Sequence, residues 1–349
     1  MSNETGGPDP STPFDAVLVV SFGGPEGPDD VIPFLENVTK GRNIPADRLA
    51  VVGEHYQHFG GVSPINQQSR DLIAALEPAL QAAGHDLVVY WGNRNWDPML
   101  VDTVQQMADD GVRRAVAFVT TAYSSNSGCR QYLDDIETAR SEVGDSAPEI
   151  VKIRPFFNHP GFIEPMARNV EAALESLGER RPNARLVYTA HSIPIAMADG
   201  CDLVEQLNEV ADLVTERLST ATEWDLVYQS RSGPPQVPWL EPDIGDHIDA
   251  LADNGVDTVV VAPIGFISDH MEVIWDLDTE AANRAEALGI RFVRAATVGT
   301  DSQFIDAIVE LLDEYVRGTT PRALGSLPAR SMLCAQDCCR LEPQPSRPV

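Results

Sequence analysis

The chain has 349 residues, 43% hydrophobic and 22% charged, which is enough for two domains of ordinary size, each with its own core. Aspartate and glutamate number 53 against 25 lysines and arginines, a formal net charge of −28, so nucleic-acid backbones and anionic membranes make poor partners. No apolar run approaches the roughly 18 residues of a membrane span, and the first residues, MSNETGGPDPSTPFDA, lack the basic and apolar regions of a signal or transit peptide. These features exclude an integral membrane protein and lead us to expect a cytoplasmic location. Lys40 and Lys152 are the only lysines, so almost all positive charge is carried by arginine.

In chain order, AVLVVSF (16–22), LVVYWG (87–92) and RAVAFVT (114–120) are short β-branched runs. They suit strands covered on both faces of a parallel sheet. Between them lie helical patterns over 69–84, closed by a glycine, and over 98–111, with Asp97 as the expected N-cap and Pro98 in the first turn. Further strands are expected at 149–156, 184–192, 224–230, 257–266 and 290–298, and further helices over 162–178, 202–218, 268–289 and 301–318. Strand–helix alternation implies right-handed βαβ units. The expected fold is therefore α/β, with two Rossmann-like domains, each an open parallel sheet flanked by helices. The expected division is a disordered N-terminus (1–13), an N-terminal domain (14–160), a C-terminal domain (161–318) and a tail (319–349). The tail is rich in Pro, Ser and Arg without periodicity, so it should be disordered unless its cysteines pin it.

Ligands of open α/β sheets bind outside the carboxyl ends of the strands. The GGPEGPDD turn after Phe22 has neither the GxGxxG order nor a P-loop lysine, which argues against dinucleotide and nucleoside-triphosphate binding. His191 ends a predicted strand in the run AHSIP; it is either a satisfied core histidine or a functional one. Glu272, Asp276 and Glu280 recur at i, i+4 and i+8 in a predicted helix opened by Ser268, Asp269 and His270. The plain alternative is a solvated face, but the residues between are mostly apolar, which suits a helix lining a cleft. Imidazole with a line of carboxylates would bind or pass a divalent cation.

Five cysteines and no leader argue for a reducing compartment and against a disulfide framework. Cys334, Cys338 and Cys339 fall within six residues, Cys129 lies in the run GCRQY, and Cys201 stands apart.

FGGPEGPDDVIPFL, HYQHFGGVSPINQQS, YTAHSIP and GFISDHMEVIWDLDTEA, in this order, resemble the ferrochelatase family from about Phe14 to Gly318. The resemblance implies two chelatase-type lobes clasping a porphyrin, with ferrous iron as substrate. It implies His191 and Glu272 as the catalytic and metal-handling pair, with Asp276 and Glu280 as an acidic path for metal. It implies porphyrin contacts at Ser63, Tyr56, Tyr132 and Phe22, with Arg42 as a candidate carboxylate partner by position. Phe22 stands where some coproporphyrin-type members carry an axial tyrosine, so axial ligation through that position is not expected. Insertion needs a base for the pyrrole protons, and an imidazole near its ordinary pKa suits that task.

Some members, those of actinobacteria included, carry a [2Fe–2S] cluster on a C-terminal extension. By that resemblance Cys129, Cys334, Cys338 and Cys339 are its expected ligands; on ligand chemistry alone a structural zinc remains the alternative. The expected substrate is coproporphyrin III, with protoporphyrin IX, a cobalt or nickel chelatase, and a non-catalytic haem or metal carrier as rivals. The partners expected are porphyrin and ferrous iron, with no nucleic acid, no integral membrane contact, and transient contact with neighbouring haem-pathway enzymes.

Overall fold

The structure, a computed structural model, describes residues 13–41, 44–220, 223–334, 338 and 339. Arg42 and residues 1–12 of the expected N-terminal segment lie outside the described residues. Eight strands form two sheets. β1 (Ala16–Ser21), β2 (Val88–Asn93), β3 (Arg114–Val119) and β4 (Glu149–Lys152) make the first, in the order β2-β1-β3-β4. β5 (Arg185–His191), β6 (Trp224–Gln229), β7 (Thr258–Ala262) and β8 (Arg291–Arg294) make the second, in the order β6-β5-β7-β8. Every pairing is parallel, and helices connect the strands, as the alternation implies. β1, β3 and β7 are buried along their whole length, as expected for strands covered on both faces.

Several element ends differ from the sequence expectation for local reasons. The strand expected over 149–156 stops at Lys152, shortly before Pro155, and that expected over 257–266 stops at Ala262, before Pro263. Proline has no N–H to continue a ladder. The helix expected from Pro98 starts at Leu100 with Met99 as its N-cap. Residues 97–99 are instead drawn to the end of β2: the Pro98 carbonyl accepts from Asn93 N–H at 2.7 Å, and the Asp97 carbonyl accepts from the Asn66 and Asn93 side chains.

One hydrophobic core runs through both sheets, from Val17, Val19 and Phe118 to Tyr188, Val260 and the last helix, Ser302–Val316. Phe118, Phe156, Phe162 and Phe304 pack ring to ring at 5.7–6.0 Å. Tyr123 Oη donates to the Ile264 carbonyl at 2.7 Å, a buried bond tying the loop after β3 to the loop after β7. In each sheet the strand order reverses beside its first strand, so a crevice opens at the carboxyl ends of β1 and β3 and another at those of β5 and β7.

The tail corrects the expectation that only cysteines would pin it. Asn158 donates to the carbonyls of Leu324 (3.3 Å) and Leu327 (2.8 Å), and the Asn158 carbonyl accepts from Leu324 N–H at 2.9 Å. Arg154, paired face to face with Glu314 at 2.7 Å in full burial, reaches the Arg322 carbonyl at 3.1 Å. Glu209 accepts from Leu327 N–H, and Arg330 pairs with Asp202 at 2.7 Å. The segment is thus held through its own backbone groups and by Leu324 and Leu327, which pack against the core, contacts that composition does not reveal. Among the described residues no helix is long and apolar enough to cross a membrane.

Candidate active site

The second sheet's crevice gathers most of the charged candidates. His191 is the last residue of β5. Its Nε2 lies 3.3 Å from Glu272 Oε1, and its Nδ1 meets the Ser192 carbonyl. Glu272 lies in the short helix Met271–Trp275, whose N-cap is His270: the His270 ring accepts from Glu272 N–H at 3.3 Å. About a third of the His191 side chain and half of that of Glu272 face solvent, 34% and 46%, so the pair lies on the wall of an open cleft.

Burial alone would depress the His191 pKa, but Glu272, the Ser192 carbonyl and Asp276 outweigh it and raise it to about 9. Burial likewise opposes ionisation of Glu272, but His191 and His270 bring it down to about 2. The expectation of an imidazole near its ordinary pKa is therefore corrected: in direct contact with Glu272 it is protonated at neutral pH.

Asp276 is one turn further on, and its carboxylate accepts from Ser230 Oγ, with Gln229 Nε2 at 3.5 Å. Burial, opposed by the Ser230 bond and reinforced by Glu272 and Glu280, pushes it up to about 7. The predicted continuous helix is broken here into Met271–Trp275, a wide π segment (Asp276–Ala281) and Ala282–Ala287. The three carboxylates still crowd one another, but on a widened turn of the kind found at functional sites.

The first sheet's crevice is built from rings. Phe22, just past β1, packs edge-on to Phe34 at 6.3 Å, and Phe34 meets Tyr56 at 5.8 Å and Trp96 at 6.1 Å. Burial, with the charge of Glu272, raises the Tyr56 hydroxyl's pKa; its helix, Ala46–His58, packs against the helix Met271–Trp275 that carries Glu272. Ser63 is buried against Gly24: a Cβ there would sit 2.6 Å from Ser63 Cβ. Tyr132 falls in the helix Gln131–Val143 rather than in a loop, 5% exposed in the core of the first sheet. The Arg94 guanidinium lies 4.4 Å over its ring and 5.8 Å from that of Phe22.

Across the mouth, His55 stacks on Trp275 at 4.1 Å, and His58 and Phe59 approach the same indole. Sequence reading missed Arg94, His55, Trp275, Gln229 and Ser230. The last two carry a usable signal, since they end the predicted strand 224–230, and the strand-end rule applies there as it does to His191.

The match to the ferrochelatase family model covers residues 14–316. The chain belongs to the ferrochelatase family. Members of this family are lyases that insert ferrous iron into a porphyrin, with the metal as substrate. The chain is 54% identical to the coproporphyrin III ferrochelatase of Nocardia farcinica over 95% of its own length and 98% of that protein. It is 52% identical to the ferrochelatase of Rhodopirellula baltica, covering 95% of each. Among solved structures, SirB from Bacillus subtilis has a TM-score of 0.54 at 13% identity, covering 87% of this chain and 96% of that one, a likeness of fold.

Away from the cleft, the structure draws the thiols together in two pairs. Cys129, buried near the start of the helix Gln131–Val143, exchanges a hydrogen bond with Cys334, and Cys338 Sγ is 3.6 Å from Cys339 Sγ. Cys339 holds a left-handed φ of 53°, strained for a residue with a side chain, and its carbonyl accepts from Asn126 at 3.0 Å. The Cys334 bond brings the Cys129 pKa down to about 6 against burial, with help from Lys152 and Arg330. Cys201 lies close enough to Cys338 and Cys339 to feel their charge.

Among the described residues no group of three or more His, Cys, Asp or Glu side chains converges to hold a single metal ion. The four thiols, in two pairs, supply the donor number of a two-iron centre, in which each iron takes two thiolates, and equally that of a structural zinc.

Proposed function

We propose that the protein inserts Fe²⁺ into coproporphyrin III, releasing the two pyrrole protons. The observation that carries this is the His191–Glu272 contact at the switch point of the second sheet, with Asp276 beside it and a wall of aromatic rings opposite. The relatives named for coproporphyrin III, at 50–54% identity, support that porphyrin.

A macrocycle cannot lie between side chains 3.3 Å apart, so binding parts the pair. Freed from Glu272, the imidazole returns toward about 6.5, sheds its proton to the cleft water and becomes able to accept one from a pyrrole. Glu272, ionised throughout, offers a hard anionic ligand to the incoming metal. Asp276 and Glu280 continue that charge outward, and Asp276 takes up or gives a proton near neutrality. Phe22, Tyr56 and the Arg94 column around Tyr132 give the ring a flat, largely apolar bed. Ser63 acts from beneath it, as support for the Gly24 turn. Arg42 keeps its proposed role toward a porphyrin carboxylate.

We extend the proposal to a [2Fe–2S] cluster on Cys129, Cys334, Cys338 and Cys339, which when bound supplies a one-electron couple and a covalent tie between tail and body. The test of the main reading is an anaerobic insertion assay offering coproporphyrin III and protoporphyrin IX, each with Fe²⁺ or Co²⁺. Faster Fe²⁺ turnover with coproporphyrin III is expected. Preference for protoporphyrin IX would reassign the substrate, preference for Co²⁺ the metal, and binding without turnover would make the protein a carrier.

A further inference from the structure

One of the chain's two lysines sits where lysine is seldom found. Lys152 ends β4, the edge strand of the first sheet, and is only 9% exposed. Its Nζ donates to the Ile153 carbonyl at 2.8 Å and reaches the Cys129 thiol. Among the described residues it has no carboxylate partner.

A buried ammonium without a counter-charge is costly, and lysine is almost never fully buried unless paired. This chain has acid to spare, with 53 Asp and Glu, yet the interior around Lys152 offers sulfur instead. The other cation near Cys129, Arg330, is more exposed and is committed to Asp202 at 2.7 Å.

Resting on the cluster reading above, we infer that Lys152 is the built-in counter-charge of the four-thiol centre, held against its Cys129–Cys334 side. Two ferric ions, two sulfides and four thiolates carry two net negative charges. One electron from an added reductant converts one ferric ion to ferrous and makes the total three. A fixed cation in a dry site favours the more negative state. Lys152 therefore raises the centre's reduction potential and helps retain it.

The test uses the full chain, reconstituted anaerobically with iron and sulfide, for the wild type, Lys152→Met, Lys152→Gln and Cys129→Ser. Visible absorption reports the cluster, and a dithionite titration followed by electron paramagnetic resonance reports its potential. The wild type should take up the cluster. Lys152→Met and Lys152→Gln should hold it with a shift to more negative potential, or lose about half or more of it on gel filtration. A wild type that takes up no cluster would sink the cluster reading itself. A wild type that takes it up, with both Lys152 variants equal to it in content and potential, would overturn the inference about Lys152 alone. Circular dichroism separates these outcomes from misfolding. If one variant fails to fold, the other decides.

Discussion

The two crevices share a topology and differ in chemistry. Each opens where the strand order reverses beside a first strand, β1 in one sheet and β5 in the other. At the end of β1 the fold presents Phe22, packed on Phe34, which in turn meets Tyr56 and Trp96. At the end of β5 it presents His191, Glu272 and Asp276. The scaffold fixes where a ligand lies, and the side chains at equivalent positions decide what happens to it. A flat apolar bed can hold a macrocycle without reacting with it. A wall of mutually shifted acids and bases can move protons and metal but offers little to grip. On the proposed function neither half would suffice alone, and the chemistry would sit between two similar sheets.

The largest effects should come from the charged wall. His191→Ala should cut insertion at least about a hundredfold, the scale of a general acid–base group, with porphyrin binding retained. Glu272→Gln should do the same for a different reason, by removing the anionic ligand. It should also leave a pH signature. In the free enzyme His191 is raised to about 9, so kcat/KM for porphyrin should climb toward that value. With Glu272 neutralised the limb should fall toward about 6.5. Near-normal turnover in His191→Ala would take His191 out of the reaction, and an unmoved limb in Glu272→Gln would mean the pair is not what sets it.

The ringed wall should respond in affinity instead. Phe22→Ala removes a ring that touches Phe34 and the Arg94 guanidinium. Losing that apolar area is worth about 1.5–3 kcal/mol at most, so KM for porphyrin should rise about tenfold or more while kcat changes little. A drop in kcat with KM unchanged would erase the contrast between the crevices.

How far this was legible differs by residue. The strands and their alternation show in runs such as AVLVVSF because period and β-branching act locally. His191 and Glu272 are readable from strand-end logic and from the family motifs around them. Their mutual contact, and with it the raised pKa of His191, is not, because it joins residues 81 positions apart whose distance only the tertiary fold sets. Tyr132 shows another limit: its sequence suggests a loop, but it lies in the helix that begins at Gln131, with its buried ring under Arg94. The break of the predicted helix at Asp276 has no local signal, since no proline or glycine marks it.

A smaller effect concerns Asp276 and stability. Its folded pKa is raised to about 7, against an unfolded value of about 3.9. A raised carboxylate favours the folded state only while protonated. The penalty is absent below the unfolded value, grows as pH rises, and is complete above the folded one. Asp276→Asn should therefore melt above the wild type by a margin that is small at pH 5 and larger at pH 8, the margin widening by about 3 °C or more between them. This would show that the charged wall is held at a cost in stability that the ringed wall does not carry. An advantage that shrinks from pH 5 to pH 8 would reverse the sign and remove Asp276 from the proposed proton chemistry.

The smallest effect tests what keeps the two walls together. The tail crosses from Asn158 and Arg154, beyond the first sheet, to Glu209 and Asp202 at the helix Leu203–Thr215 of the second. If its backbone contacts hold it, residues 319–332 should stay protected from proteolysis when the cysteines are replaced by serine, and Asn158→Ala should expose them. The Asn158 side chain donates to two tail carbonyls, and losing two such bonds costs about 1–3 kcal/mol, so cleavage by way of local opening should speed up about fivefold or more. The insertion rate should fall only slightly, because the buried Arg154–Glu314 pair and the shared aromatic core still join the sheets. Cleavage of the cysteine-free tail at wild-type speed only when Asn158 is also intact would support this division of labour. Rapid cleavage in the serine variant with Asn158 intact would return the tail's anchorage to its thiols.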